Sequence, residues 1–348
     1  MPLADVPVSL LERANSRHGS TEAEALARVL ERAGHAEELG YHRFWLAEHH
    51  GVPGIAGSAP AVLMAAVAAR TRRIRVGSGG IMLPNHPPIV VAEQAATLEA
   101  LHPGRIDLGV GRSLGFTPAV RSALRTGPAA AERFEEDLDE LLAHLSGTAA
   151  VTARPRDHAA TPVFVLATAA GVETAARAGL AVVFGGPAVH RRNAAGRVPA
   201  LERYRELFRP SSWWPAPHVV VSANVAVARS RAAARELLLP EAVALAASRT
   251  RGAFPPLEPA EATAPDALPA RARRLVEQTL AASVHGTPAD VADGLDRLVE
   301  DTGADELLVT GGAFDVDAQA VSDRLLAGLF SSAPRHGPAP ADPAPAQP

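Results

Sequence analysis

The chain has 348 residues and a formal net charge of −4, so no bulk basic field asks for nucleic acid. All 34 basic residues are arginine, which excludes a Schiff-base lysine, a pyridoxal attachment site and the P-loop lysine; the lack of cysteine excludes disulfides, thiolate metal sites and a cysteine nucleophile. No apolar run reaches membrane-spanning length and no basic stretch leads into an apolar core at the N-terminus, so a cytoplasmic protein without signal peptide or membrane contact is expected.

Residues 6–11 read as a first strand. Thr21 and Glu24 have the spacing of a capping box, and Leu26, Val29, Leu30, Ala33 and Leu39 follow at helical intervals until Gly40 closes the helix. Phe44, Trp45, Leu46 and Ala47 form a short apolar run, the second strand, covered on both faces. Helices over 59–70 and 89–101 precede strands over 74–78 and 106–110. A longer charged helix covers 129–145, then a strand 163–167, a helix 172–178, a strand 181–184 and a helix 201–208. A seventh strand, 219–227, leads to a helix from about residue 232 to 247. Thr287-Pro288 caps a helix ending at Gly303. The eighth strand is 306–310 and the last helix 316–329.

Eight strands alternating with helices predict a parallel sheet of the α/β class, and the count favours a closed (β/α)8 barrel over an open sheet. Segments 185–218, with Trp213-Trp214, and 250–268 break the rhythm and read as lids or mobile loops. Residues 1–332 are expected to form one domain, and the Pro/Ala-rich residues 333–348 a disordered tail.

Candidate chemistry gathers at the strand ends, where parallel barrels keep their sites. Glu48-His49-His50 ends the second strand, and imidazole suits proton transfer near neutral pH. The same histidines could merely orient a loop. With His86 they could also hold a metal, although adjacent histidines on extended backbone point oppositely and no HxH or HExxH spacing occurs, so no metal is expected. Gly77-Ser78-Gly79-Gly80 allows a planar ligand close to the backbone, or is an ordinary glycine turn. Gly109-Val110-Gly111-Arg112 is not a dinucleotide fingerprint. Arg112 suits either a phosphate or a salt bridge at the barrel rim.

Together the stretches RFWLAEHH, IRVGSGGIMLPNHPP, VAEQ, LHPGRIDLGVGR, YRELFRPS and VHGTPADV…GADELLV resemble the bacterial luciferase-like flavin monooxygenases, in their single-chain actinobacterial-style subgroup. The resemblance spans Ser9 to about Leu329. It implies a (β/α)8 barrel that takes reduced FMN from a separate flavin reductase and uses dioxygen to oxidise a small or medium-sized apolar substrate, in some members a secondary metabolite. It implies His49 as the catalytic residue and Glu48 beside the flavin ring. Gly79 and Gly80 match a cis-linked pair under the ring, and Gly185 and Gly186 a second ring contact. Arg112 and Thr168 match the phosphate ligands. Ala167-Thr168 stands where the family often has Glu-Ser or Gly-Ser, which keeps the hydroxyl and drops one polar contact. A deazaflavin oxidoreductase and a non-catalytic flavin binder are the alternatives on the same fold.

A homodimer is also expected. Helix 59–70 has no polar side chain from Ala59 to Ala69, and helix 88–101 is almost as apolar, so the barrel covers only one side of each. The family pairs through these same two helices. Met64 and Val67 are taken as interface positions.

Overall fold

The computed structural model describes residues 3–156, 161–168, 171–263 and 267–330; the expected tail lies outside them. Its strands are β1 (Val8–Glu12), β2 (Arg43–Leu46), β3 (Arg75–Ser78), β4 (Ile81–Met82), β5 (Ile106–Gly111), β6 (Val163–Ala167), β7 (Ala181–Phe184), β8 (Val219–Val227), β9 (Val284–Gly286) and β10 (Glu306–Thr310). The helices are α1 (Glu22–Leu39), α2 (Pro60–Arg70), α3 (Pro88–Leu101), α4 (Pro118–Ala123), α5 (Pro128–Glu132), α6 (Phe134–Ser146), α7 (Gly171–Arg177), α8 (Pro199–Leu207), α9 (Arg231–Arg251), α10 (Ala270–Ala281), α11 (Pro288–Thr302) and α12 (Val316–Phe330).

Eight strands run parallel in the order β10-β1-β2-β3-β5-β6-β7-β8, and β8 pairs with β10 to close the barrel. Strand alternation sorts the side chains. In β2, Trp45 packs inside the barrel with Phe164, Val183, Val220 and Leu308, whereas Phe44 and Leu46 face the helical layer. Thr21 and Glu24 form the capping box, Gly40 takes the left-handed conformation, and Thr287 caps α11 with Asp290.

Several elements differ from the sequence reading. The helix expected over 129–145 is two, α5 and α6, broken at Arg133. Phe134, Leu138 and Leu141 are buried along α6, whereas α5 buries nothing that would hold it collinear. The short α4, β4 and β9 were not foreseen. Nor was α10, which packs Ala272, Val276 and Leu280 against Leu238, Ala242 and Ala246 of α9. That i, i+4, i+8 stripe was legible in the sequence.

A charged network fills the N-terminal end of the barrel. Arg43 donates from Nε to both Glu306 oxygens at 3.0 Å and from Nη1 to Asp107 Oδ2 at 2.7 Å. Arg75 and the Trp45 indole also donate to Asp107, and Ser9 to Glu306. Arg43, Asp107 and Glu306 are all buried. Burial would raise the Asp107 carboxyl, but Arg43 and Arg75 hold it below its usual range.

The apolar surface on α2 and α3 is present. Val62 is 69% exposed, Leu101 66% and Val90 39%. Met64 and Val67 are not on it: they are 2% and 0% exposed, because with Pro60 and Ala68 they form the stripe that faces the strands.

Candidate active site

Strand register brings the singled-out residues to one arc of the C-terminal rim. Leu46 pairs with Ser78, Gly111 with Leu166, and Ala167 with Phe184. The residues just beyond those pairs follow in order around five neighbouring strands: Glu48 after β2, Gly79-Gly80 after β3, Arg112 after β5, Thr168 after β6 and Gly185-Gly186 after β7.

The Gly79–Gly80 peptide is cis. The packing is tight at both glycines, against a side-chain tip at Gly79 and against backbone at Gly80. A Cβ on Gly79 would lie 2.5 Å from Leu11 Cδ1, and one on Gly80 2.9 Å from the Gly109 oxygen. Beyond the pair, β4 continues along β5. Its Met82 N–H reaches back to Glu48 Oε2 at 2.8 Å.

Glu48 is buried, and its Oε1 meets two imidazoles: His50 Nε2 at 2.6 Å and His86 Nε2 at 2.8 Å. Burial would raise its carboxyl; the hydrogen bonds from His86, His50 and Met82 hold it below the ordinary value instead. An ionised carboxylate only accepts, so both Nε2 atoms carry hydrogen.

His49 points elsewhere, as alternation on extended backbone requires. Its backbone N–H donates to the Gly57 oxygen at 3.1 Å, and its ring Nδ1 is buried without a hydrogen-bond partner among the described residues. Burial, reinforced by the nearby Arg13 charge, pushes this imidazole down to about 4. His49 is therefore neutral at physiological pH. Between about pH 6.5 and 4 the unfolded chain binds a proton there that the folded chain refuses, so stability falls as pH drops through that window. The full loss is about 3 kcal/mol. Denaturation of the parent and of His49→Gln at pH 7 and 4.5 checks this; equal pH slopes would show that the ring is not held neutral.

Arg112 is exposed, with no ion pair or hydrogen bond among the described residues; Thr168 is also exposed. Gly186 has φ +73° and open space where a Cβ would stand. The sequence reading missed Arg13, which directly follows β1 and bonds Glu241 of α9 and Thr310 Oγ1 of β10. A charge at a strand's carboxyl end was the available signal. It also missed Arg43, Asp107 and Glu306, each a charge inside an otherwise apolar strand.

A family model described as luciferase-like monooxygenase matches residues 7–306. The chain belongs to this family. It is 36% identical over 330 residues to an Escherichia coli (strain K12) luciferase-like monooxygenase, covering 92% of this chain and 96% of that one. Over 137 residues it is 46% identical to the N-acetyl-S-alkylcysteine monooxygenase of Bacillus subtilis, covering 39% and 41% of the two chains. The crystal structure of apo-MsnO8 superposes with a TM-score of 0.84 at 32% identity, covering 95% of this chain and 99% of that one. Two more distant structures share the fold alone. One is the FMN complex of the oxygenating constituent of 3,6-diketocamphane monooxygenase from Pseudomonas putida, with TM-score 0.67, 16% identity and coverage of 93% and 97%. The other is an F420-dependent secondary alcohol dehydrogenase, with TM-score 0.68, 14% identity and coverage of 94% and 99%. Among the described residues, no helix of this family member is long and apolar enough to cross a membrane.

Proposed function

We propose that the chain is a monooxygenase that receives reduced FMN from a separate reductase and oxidises a small or medium-sized apolar organic substrate with dioxygen. The observation that carries this reading is the rim arc from Glu48 to Gly186, with an exposed cation, Arg112, that has no ion pair among the described residues, midway along it. Family membership and the FMN-bound fold relative support it.

The residues fit the group. Arg112 and Thr168 would hold its phosphate, in a chain with no lysine to compete. Gly79-Gly80 and the open Gly186 would let the ring approach the backbone. Glu48, fixed as an anion, would stand at the ring edge. Reduced FMN, when bound, supplies the reaction with dioxygen. His49, neutral and half-buried, would accept a proton at Nδ1 and later return it.

NADH, a flavin reductase, FMN and a substrate panel test the proposal through oxygen uptake matched by product. Oxygen-independent turnover with a deazaflavin would replace it. Flavin binding with no product across the panel would leave a non-catalytic binder.

Arg112→Ala is expected to weaken FMN by about 1.5–3 kcal/mol, the loss of a charged hydrogen bond, and to leave riboflavin almost unchanged. Equal weakening of both ligands would remove the phosphate role.

The chain is further proposed to be a homodimer through α2 and α3. Val62, Val90 and Leu101 support this, as large apolar side chains that a monomer would leave in water. Light scattering at micromolar concentration should return twice the chain mass. The pair Val62→Asp and Leu101→Asp should halve it; a parent that is already monomeric would sink the idea.

A further inference from the structure

In the proposed reaction His50 and His86 serve only to hold the Glu48 carboxylate as an anion. These two rings arrive from different loops, His50 from the segment after β2 and His86 from the turn after β4. Both aim Nε2 at one oxygen of a buried carboxylate, at 2.6 and 2.8 Å. The three candidate ligand atoms all lie within 4.8 Å of one another. The carboxylate is buried while both rings are partly exposed, so the site has a fixed anionic base and an open approach.

We propose that Glu48, His50 and His86 form a binding site for a divalent first-row transition ion, with Zn²⁺ as the best-suited occupant. Two imidazoles and a carboxylate are a common donor set for Zn²⁺, and they leave a fourth position for water. In a tetrahedral site with bonds near 2.0–2.1 Å, ligand atoms stand about 3.3 Å apart. The His50 ring must therefore back away from the shared oxygen by about 0.7 Å and the His86 ring by about 0.5 Å, movements that partly exposed side chains allow. The rings must also present a bare Nε2 to the ion. Transfer of the hydrogen to Nδ1 achieves this, and Glu48, already an acceptor, needs to lose no proton. His49 takes no part, because its neighbour's direction is opposite to its own. An ion here would brace the loop after β2 against the turn after β4. The site stands on these three side chains and not on the flavin reading.

The test needs no flavin. Metal-free full-length protein is titrated with Zn²⁺ by calorimetry and with Co²⁺ by visible absorption. One Zn²⁺ per chain is expected, with a Co²⁺ spectrum of four- or five-coordinate intensity. Zn²⁺ should also raise the thermal midpoint. His50→Ala and His86→Ala should each weaken Zn²⁺ about a hundredfold or more, since even partners outside the coordination shell are worth 10–100-fold. His35→Ala, on the exposed face of α1, should change nothing. Should His86→Ala fold poorly by circular dichroism, His86→Gln, which keeps a donor to Glu48, replaces it. No Zn²⁺ uptake at millimolar concentration, or equal uptake by the parent and a folded His86 variant, would overturn the site.

Discussion

His49→Ala is expected to lower turnover with reduced FMN by about two to four orders of magnitude, the usual range for a residue that moves a proton in the transition state. The reason lies in how the ring is held. Its Nδ1 is buried without a partner among the described residues, and its basicity is depressed to about 4 by burial and by Arg13. The substitution removes the ring and leaves Glu48, Arg112 and the glycine pairs in place. FMN affinity should therefore change little, and the loss should fall on the catalytic rate. The rate is read from oxygen uptake coupled to product in the reductase assay. Near-normal turnover in the variant would strip His49 of its role, while the rim arc could still bind flavin.

The second large effect is on stability. Arg43→Ala should destabilise the barrel by about 3–5 kcal/mol, because it strands buried charge. Asp107 and Glu306 would keep their burial and lose the guanidinium that bonds them both, at 2.7 and 3.0 Å. Arg75 still reaches Asp107, so Glu306 would be the more exposed to the loss, with Ser9 its one remaining donor at hydrogen-bond distance among the described residues and His218 Nε2 3.7 Å away. Urea denaturation measures the change, and a large single-domain barrel calls for coincident spectroscopic probes before a two-state value is taken. A loss under about 1 kcal/mol would mean that water or a repacked neighbour replaces the guanidinium. The network lies at the opposite end of the strands from His49. The two substitutions are therefore expected to separate, Arg43→Ala lowering stability and His49→Ala lowering rate.

The strands most plainly written in the sequence were those with uninterrupted apolar runs. The fifth and sixth, 163–167 and 181–184, coincide with β6 and β7. Such runs fit only a sheet covered on both faces. Helix ends were legible wherever a side chain or a glycine closed them, as at Thr21, Gly40, Thr287 and Gly303. Less legible were short elements held by their neighbours. Strand β4 exists because β5 is beside it, and α4 buries no residue of its own.

By itself the sequence determined the alternation of strand and helix, the barrel, and the family, because local periodicity and short motifs carry that information along the chain. It also placed Glu48, Gly79-Gly80, Arg112, Thr168 and Gly185-Gly186 at strand ends. Only the tertiary structure decided which of them are neighbours, because strand register, not sequence distance, sets who stands beside whom on the rim. It decided that His50 and His86, 36 residues apart in number, share one oxygen of Glu48 while His49 stands apart. It turned Met64 and Val67 inward and Val62 and Leu101 outward, a choice invisible in a helix that is apolar on every side. And it assembled Arg43, Asp107 and Glu306 into one network, since three charges far apart in the chain can balance only after the barrel has closed around them.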